Sequence, residues 1–305
     1  MMDRVRKRIH LDEVTESRWK RSSVTIAVLD SGIARHPDLE GKCIAFKDFV
    51  NGRSTIYDDC GHGTHVCGIL CGSGELAQGK YRGIIPGARL VVGKVLNEKG
   101  EGKADTMLEG LEWIWKNYKR FDIRLLNISV GIGSLKSKEK HQRLRELLEK
   151  LWDAGVVVVC AAGNKGPGEN SISAIGGSDR VITVGCYDDA CDVKKEENCA
   201  LYSGRGVRNA VFRKPDLVAP GTGIVSCCHK VKWIKQGYEE AYMTQSGTSM
   251  STPIVTGCAA LLLQREPYLR NEQIKERLHY SSEDLGLSWN MQGWGMLHAK
   301  RLLDS

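Results

Sequence analysis

A three-layer α/β fold, with a mainly parallel central sheet between layers of helix, is predicted by three features of this 305-residue sequence. Short runs rich in β-branched residues recur without polar–apolar alternation, as strands covered on both faces do. Segments with apolar residues at helical spacing lie between those runs. No linker, repeat or low-complexity segment interrupts the alternation, so it reads as one domain.

In chain order, residues 1–20 are highly charged and precede the first strand-like run, which makes them a charged N-terminal arm ahead of a domain over 21–305. The strand-like runs are V-T-I-A-V-L at 24–29, A-R-L-V-V-G-K-V at 88–95, L-L-N-I-S-V at 125–130, V-V-V-V-C at 156–160 and V-I-T-V-G at 181–185. A helix over 105–120 places Leu108, Leu111, Trp115 and Tyr118 on one face, opened by a capping box of Thr106 and Glu109. A second, over 141–154, places Leu144, Leu147, Leu148, Leu151 and Trp152 together, with Gly155 as its stop.

Composition narrows the function. With 41% hydrophobic and 27% charged residues the chain is an ordinary globular protein. Its net charge of +7 is scattered among acids, with no basic block interleaved with aromatics, which argues against nucleic acid as a partner. The longest apolar run, 156–162, is too short to span a bilayer, so no membrane partner is expected. The basic N-terminus has no apolar stretch behind it and does not read as a secretory signal. Eleven cysteines, with spacings such as Cys67-x-x-x-Cys71 and Cys227-Cys228, match no zinc pattern. They read as reduced, mostly buried thiols, and the expected location is cytoplasmic.

In parallel sheets chemistry gathers beyond the C-terminal ends of strands. Four segments fall there: L-D-S-G-I at 29–33, G-H-G-T-H-V-C-G at 61–68, A-A-G-N-K-G at 161–166 and S-G-T-S-M-S-T-P at 246–253. Singly, each has an ordinary structural reading. Asp30 could be a turn or cap residue, His62 and His65 hydrogen-bonding groups at a helix start, and Asn164 a turn asparagine. His62 and His65 also lack a third ligand for zinc. Together, Asp, His, Asn and Ser supply every part an acyl-transfer site needs.

With these motifs, and with H-P-D-L at 36–39, L-V-A-P-G at 217–221 and G-W-G at 293–295, the chain resembles the subtilases, the subtilisin-like serine proteases, over about residues 20–300. The order Asp, His, Ser is that of subtilisin. The resemblance implies a serine endopeptidase in which Ser249 is the nucleophile, His62 the general base, Asp30 the group that orients His62, and Asn164 an oxyanion donor. His62, not His65, matches the catalytic histidine. It implies a polypeptide substrate bound as an extended strand between Gly100, Glu101, Gly102 and Ser129, Val130, Gly131. Ala161, Ala162 and Gly163 would wall the pocket for the side chain before the scissile bond, and Lys165 would stand at its rim.

No cofactor is required on this resemblance, although a structural calcium at Asp38 is possible. The 72–83 loop that would complete its shell lacks Asn and Asp and offers only carbonyls, Glu75 and Gln78. Cys67 and Cys160 read as packing thiols. The short N-terminal arm, with no signal ahead of it, resembles intracellular members of the family, where it could be inhibitory. Activity should rise as His62 loses its proton near ~6.5. The alternatives are a binding scaffold that keeps the fold without the chemistry, and a protease dedicated to one precursor.

Overall fold

The structure is a computed structural model that describes residues 2–14, 23–131, 137–189, 199–208, 213–235 and 237–304. Seven strands, β1 (Thr25–Asp30), β2 (Cys43–Asp48), β3 (Arg89–Lys94), β4 (Ile123–Ile128), β5 (Val157–Ala161), β6 (Ile182–Tyr187) and β7 (Leu217–Pro220), form one sheet. Its order is β2-β3-β1-β4-β5-β6-β7 and every pairing is parallel. The five expected strands are all present. β1 and β5 are buried at every position, which is why their sequences show no alternation. β2, at the sheet edge, was not legible as a strand, since it is only partly covered and carries Lys47.

The helices are α1 (Met2–Arg8), α2 (His62–Cys71), α3 (Ala104–Asn117), α4 (Lys138–Asp153), α5 (Cys199–Tyr202), α6 (Thr248–Arg265), α7 (Asn271–Ser281), α8 (Trp289–Gln292) and α9 (Ala299–Asp304). α2 packs on α6, and α6 lies along β4 to β7; α3 and α4 pack on each other and reach β1 and β5. This is the expected α/β sandwich. β8 (Ile224–Cys227) pairs antiparallel with β11 (Tyr242–Gln245), and β9 (Lys232–Ile234) with β10 (Gly237–Glu239). Among the described residues no helix is long and apolar enough to cross a membrane.

Two expectations need correction. α3 begins at Ala104, so Thr106 lies inside its first turn and makes no capping box: its hydroxyl donates to the carbonyls of Val95 and Lys103. α4 instead begins earlier than expected, at a Ser137 cap that accepts from Lys140 N–H. The charged N-terminal arm packs on the domain: Met2, Val5, Ile9 and Leu11 join the core. Apolar positions at helical spacing were hidden there among Arg, Lys and Asp. Residues 1 and 15–20 of that arm lie outside the described residues.

The thiols also differ from expectation. Among the described residues eight cysteines are free, Cys67 and Cys160 among them and fully buried, but Cys186 is disulfide-bonded. Cys191 and the Cys199 side chain lie outside the described residues.

Candidate active site

The strand order reverses at β1, whose neighbours β3 and β4 connect away in opposite directions. Such a switch point opens a crevice beyond the strand ends, and Asp30 is the last residue of β1. α2 begins beside it with His62. Two glycines make the approach possible: a Cβ on Gly63 would lie 2.2 Å from the Gly32 carbonyl oxygen, so the two loops meet backbone to backbone.

His62 Nδ1 lies 2.7 Å from Asp30 Oδ1. The carboxylate can only accept, so Nδ1 carries the proton and Nε2 keeps its lone pair. Asp30 is wholly buried, and Oδ1 also accepts from the Ser31 N–H at 2.7 Å. Burial pushes the imidazole of His62 down, but the charge and hydrogen bond of Asp30, with Asp58 behind, outweigh it and leave His62 above its ordinary value. The expected midpoint near ~6.5 therefore moves upward.

Ser249 is the second residue of α6. Its neighbours' N–H groups are engaged: Thr248 donates to Asn164 Oδ1 at 3.1 Å and Met250 to the Gly247 carbonyl at 3.0 Å. That leaves the Ser249 N–H as a free donor at the helix mouth, among the described residues. Asn164 is oriented by the same turn. Its Oδ1 accepts from the Thr248 hydroxyl as well, at 3.0 Å, so the amide nitrogen faces away, toward Gly247. A Cβ on Gly247, whose φ is 148°, would stand 3.2 Å from that nitrogen. Glycine is required there for conformation and for space.

One groove of about 340 Å³ is lined by His62, Ser249, Gly100, Ser129, Val130 and Gly131. Cys60, Leu96, Lys99 and Gln245 complete its walls, and sequence reasoning had singled out none of them for the site. Glu101 and Lys165 are exposed outside these walls. Gly102 bridges back to Leu96 and closes the 96–102 turn. Ala161 and Ala162 are buried, and their main chain is engaged: the Ala162 N–H donates to Val184, and its carbonyl accepts from the Ser173 N–H.

Behind the groove lies a layer the motifs did not reveal. Asp58, 7% exposed, accepts from Ser31 Oγ, the N–H groups of Cys60 and Gly61, and both N–H and Oγ1 of Thr64. Burial raises its carboxyl, but these donors, Thr64 foremost, hold it below the ordinary value. The fully buried Lys94 donates to the carbonyls of Ser31 and Leu96 and to Asp59. His65 is structural: its Nε2 faces the carbonyls of Ile224 and Met243, and burial pushes it down to about 4.

Calcium at Asp38 does not fit this donor set. Oδ1 accepts from Ser73 Oγ and the Leu76 N–H, and Oδ2 from the Tyr242 hydroxyl at 2.5 Å. The loop that should offer oxygen ligands presents hydrogen-bond donors instead. Among the His, Cys, Asp and Glu side chains of the described residues, those clustered with Asp38 offer a nitrogen and a sulfur, from His36 and Cys227, where calcium takes six to eight oxygens.

A parallel sheet with an Asp–His pair at its switch point and a serine at a helix mouth defines an α/β protein of the serine-hydrolase type. Within that class, the chain belongs to the subtilase family, which it matches over residues 21–295. It is 40% identical to serine protease AprX of Bacillus subtilis (strain 168), over 91% of this chain and 65% of that relative's length. It is 31% identical to subtilisin DY of Bacillus licheniformis, over 96% of this chain and 95% of that one. Among solved structures, Sphericase superposes with a TM-score of 0.78 at 27% identity, covering 96% of both chains. A cold-adapted subtilisin-like serine proteinase gives 0.70 at 26%, over 93% of this chain and 91% of that one.

Proposed function

We propose that this subtilase is a serine endopeptidase working through Asp30, His62 and Ser249, with Asn164 as an oxyanion donor. The observation that carries the reading is the 2.7 Å contact of His62 Nδ1 with Asp30, in a groove that His62 shares with Ser249. The proton on Nδ1 leaves Nε2 as the base. Ser249 Oγ attacks the scissile carbonyl carbon as its proton passes to Nε2, and the carbonyl electron pair moves onto oxygen. The Asn164 amide and the Ser249 N–H donate to that oxyanion, and the positive end of the α6 dipole favours it. His62 returns the proton to the leaving nitrogen as the C–N bond breaks. Water then repeats the sequence on the acyl-enzyme, while Asp30 goes on orienting the His62 ring.

The substrate is a polypeptide laid as an extended strand between the 100–102 segment and the 129–131 segment. Gly100, Ser129, Val130 and Gly131 on the groove walls support this. Ala161, Ala162 and Gly163 wall the adjoining specificity pocket, and the exposed Lys165 stands at its rim. The role is protein turnover or precursor processing inside the cell. Eight free thiols support an intracellular site, and the Cys186 disulfide speaks against it. Counting thiols on protein isolated under alkylating conditions decides between them.

A fluorophosphonate probe, followed by mass spectrometry, tests the chemistry. Labelling at Ser249, abolished in Ser249→Ala, is expected. Folded protein that takes no label would instead be a scaffold that keeps these residues without the reaction.

A further inference from the structure

His36, Asp38 and Cys227 come from two distant parts of the chain, yet their ligand atoms lie within 4.8 Å of one another. All three are buried, at 3%, 1% and 2% exposure. His36 and Asp38 sit in the loop after β1, and Cys227 ends β8 opposite Tyr242 of β11. The triplet therefore spans the contact between the loop that leaves Asp30 and the strand pair whose Gln245 lines the groove.

We propose that His36, Asp38 and Cys227 form a binding site for a divalent metal ion of the zinc class. One nitrogen, one sulfur and one carboxylate oxygen form a borderline-soft set, suited to Zn2+ or Co2+ and unsuited to calcium. The groups behind the ligands are already placed as such a site needs. His36 Nε2 donates to the Ala241 carbonyl at 2.7 Å, so Nδ1 is the unprotonated nitrogen. Asp38 Oδ1 is anchored by Ser73 and the Leu76 N–H, and Oδ2 accepts from the Tyr242 hydroxyl, a bond that a metal on this carboxylate must share or displace.

Binding has identifiable costs. The metal displaces the 3.1 Å bond that the Asp38 N–H makes to His36 Nδ1. The Cys227 thiol must give its proton to solvent as the metal–sulfur bond forms, with no change of oxidation state. A cavity of about 540 Å³ lined by Ala34, His36, Pro37 and Leu39 reaches one of the three ligands, His36, while Asp38 and Cys227 lie behind its wall. The ion would clamp the Asp30 loop to β8 and β11. This inference does not rest on the proposed chemistry of Ser249.

The test uses the full chain carrying Ser249→Ala, to prevent self-digestion, stripped with chelator and dialysed against ZnCl2 or CoCl2. One retained equivalent is expected, with a thiolate-to-cobalt charge-transfer band in the near ultraviolet. Cys227→Ala should abolish the band, His36→Gln should weaken retention at least about tenfold, and Cys60→Ala should leave both intact. Thermal melts check that each variant is folded. The wild-type ligand set decides without any variant: folded protein that retains neither metal overturns the proposal. So does a band that survives Cys227→Ala, or displacement of zinc by equimolar calcium.

Discussion

Thr248→Val isolates the orientation of Asn164 from its presence. The substitution keeps shape and the main-chain N–H but removes the hydroxyl that donates to Asn164 Oδ1 at 3.0 Å. The remaining Thr248 N–H bond, at 3.1 Å, still holds the same oxygen. The amide is thus loosened and not released. One neutral hydrogen bond contributes about 1 kcal/mol net, roughly fivefold in rate if it acts only at the transition state. The Gly163 N–H also loses its acceptor, Thr248 Oγ1 at 3.2 Å, which should cost about 1–2 kcal/mol of stability. The assay is kcat and KM on a chromogenic peptide, with urea unfolding alongside. A roughly five- to tenfold lower kcat with KM nearly unchanged is expected, restored in Thr248→Ser. An unchanged kcat, or a Ser variant as slow as Val, would refute the assignment of Thr248 as the residue that aims the amide.

Further outcomes follow from the structure. Because Asp30 holds His62 above its ordinary value, the acidic limb of kcat/KM should lie above ~6.5; Asp30→Asn should lower that limb and reduce kcat by about 10⁴. An optimum below pH 5 would contradict His62 as base. The same raised His62 contributes stability below its unfolded value that is lost as pH rises through the folded one, readable as a melting difference between His62→Ala and its parent. Asp58→Ala removes the acceptor of five donors and should destabilise by about 3 kcal/mol or more in urea unfolding. With its carboxyl held low, Asp58's contribution is present above the unfolded value and fades as pH falls through the folded one. Lys165→Glu should reduce cleavage after acidic residues in a peptide panel varied at that position; an unchanged panel makes Lys165 an ordinary exposed lysine.

Much of this was legible in the sequence because local rules and the tertiary fold agree. The runs at 24–29 and 156–160 lack alternation, and the structure buries β1 and β5 at every position. Asp30 and His62 could be placed at a strand end and a helix start, and their 2.7 Å contact follows from that placement. Other features depend on contacts that no local pattern encodes. Thr248 and Asn164 meet across 84 residues of chain. Asp58 reads as one more loop acid until its five donors are seen around it. Thr106 satisfied the pattern of a capping box, yet the Val95 carbonyl draws its hydroxyl instead. At Asp38 the motif suggested a calcium ligand, but Tyr242 and Ser73 supply protons to that carboxylate.

The burial of α6 has a consequence for how such a protein can be made safely. Thr248 and the residues from 250 to 263 are buried, and the helix lies along β4 to β7, so it is seated only once those strands exist to receive it. Asp30, His62 and Asn164 all leave the ribosome earlier. Until α6 docks, Thr248 cannot aim Asn164 and no helix mouth stands beside His62. On the proposed chemistry, a chain synthesised only as far as Asn164 lacks both the nucleophile and the helix mouth, so cleavage would wait until α6 is seated.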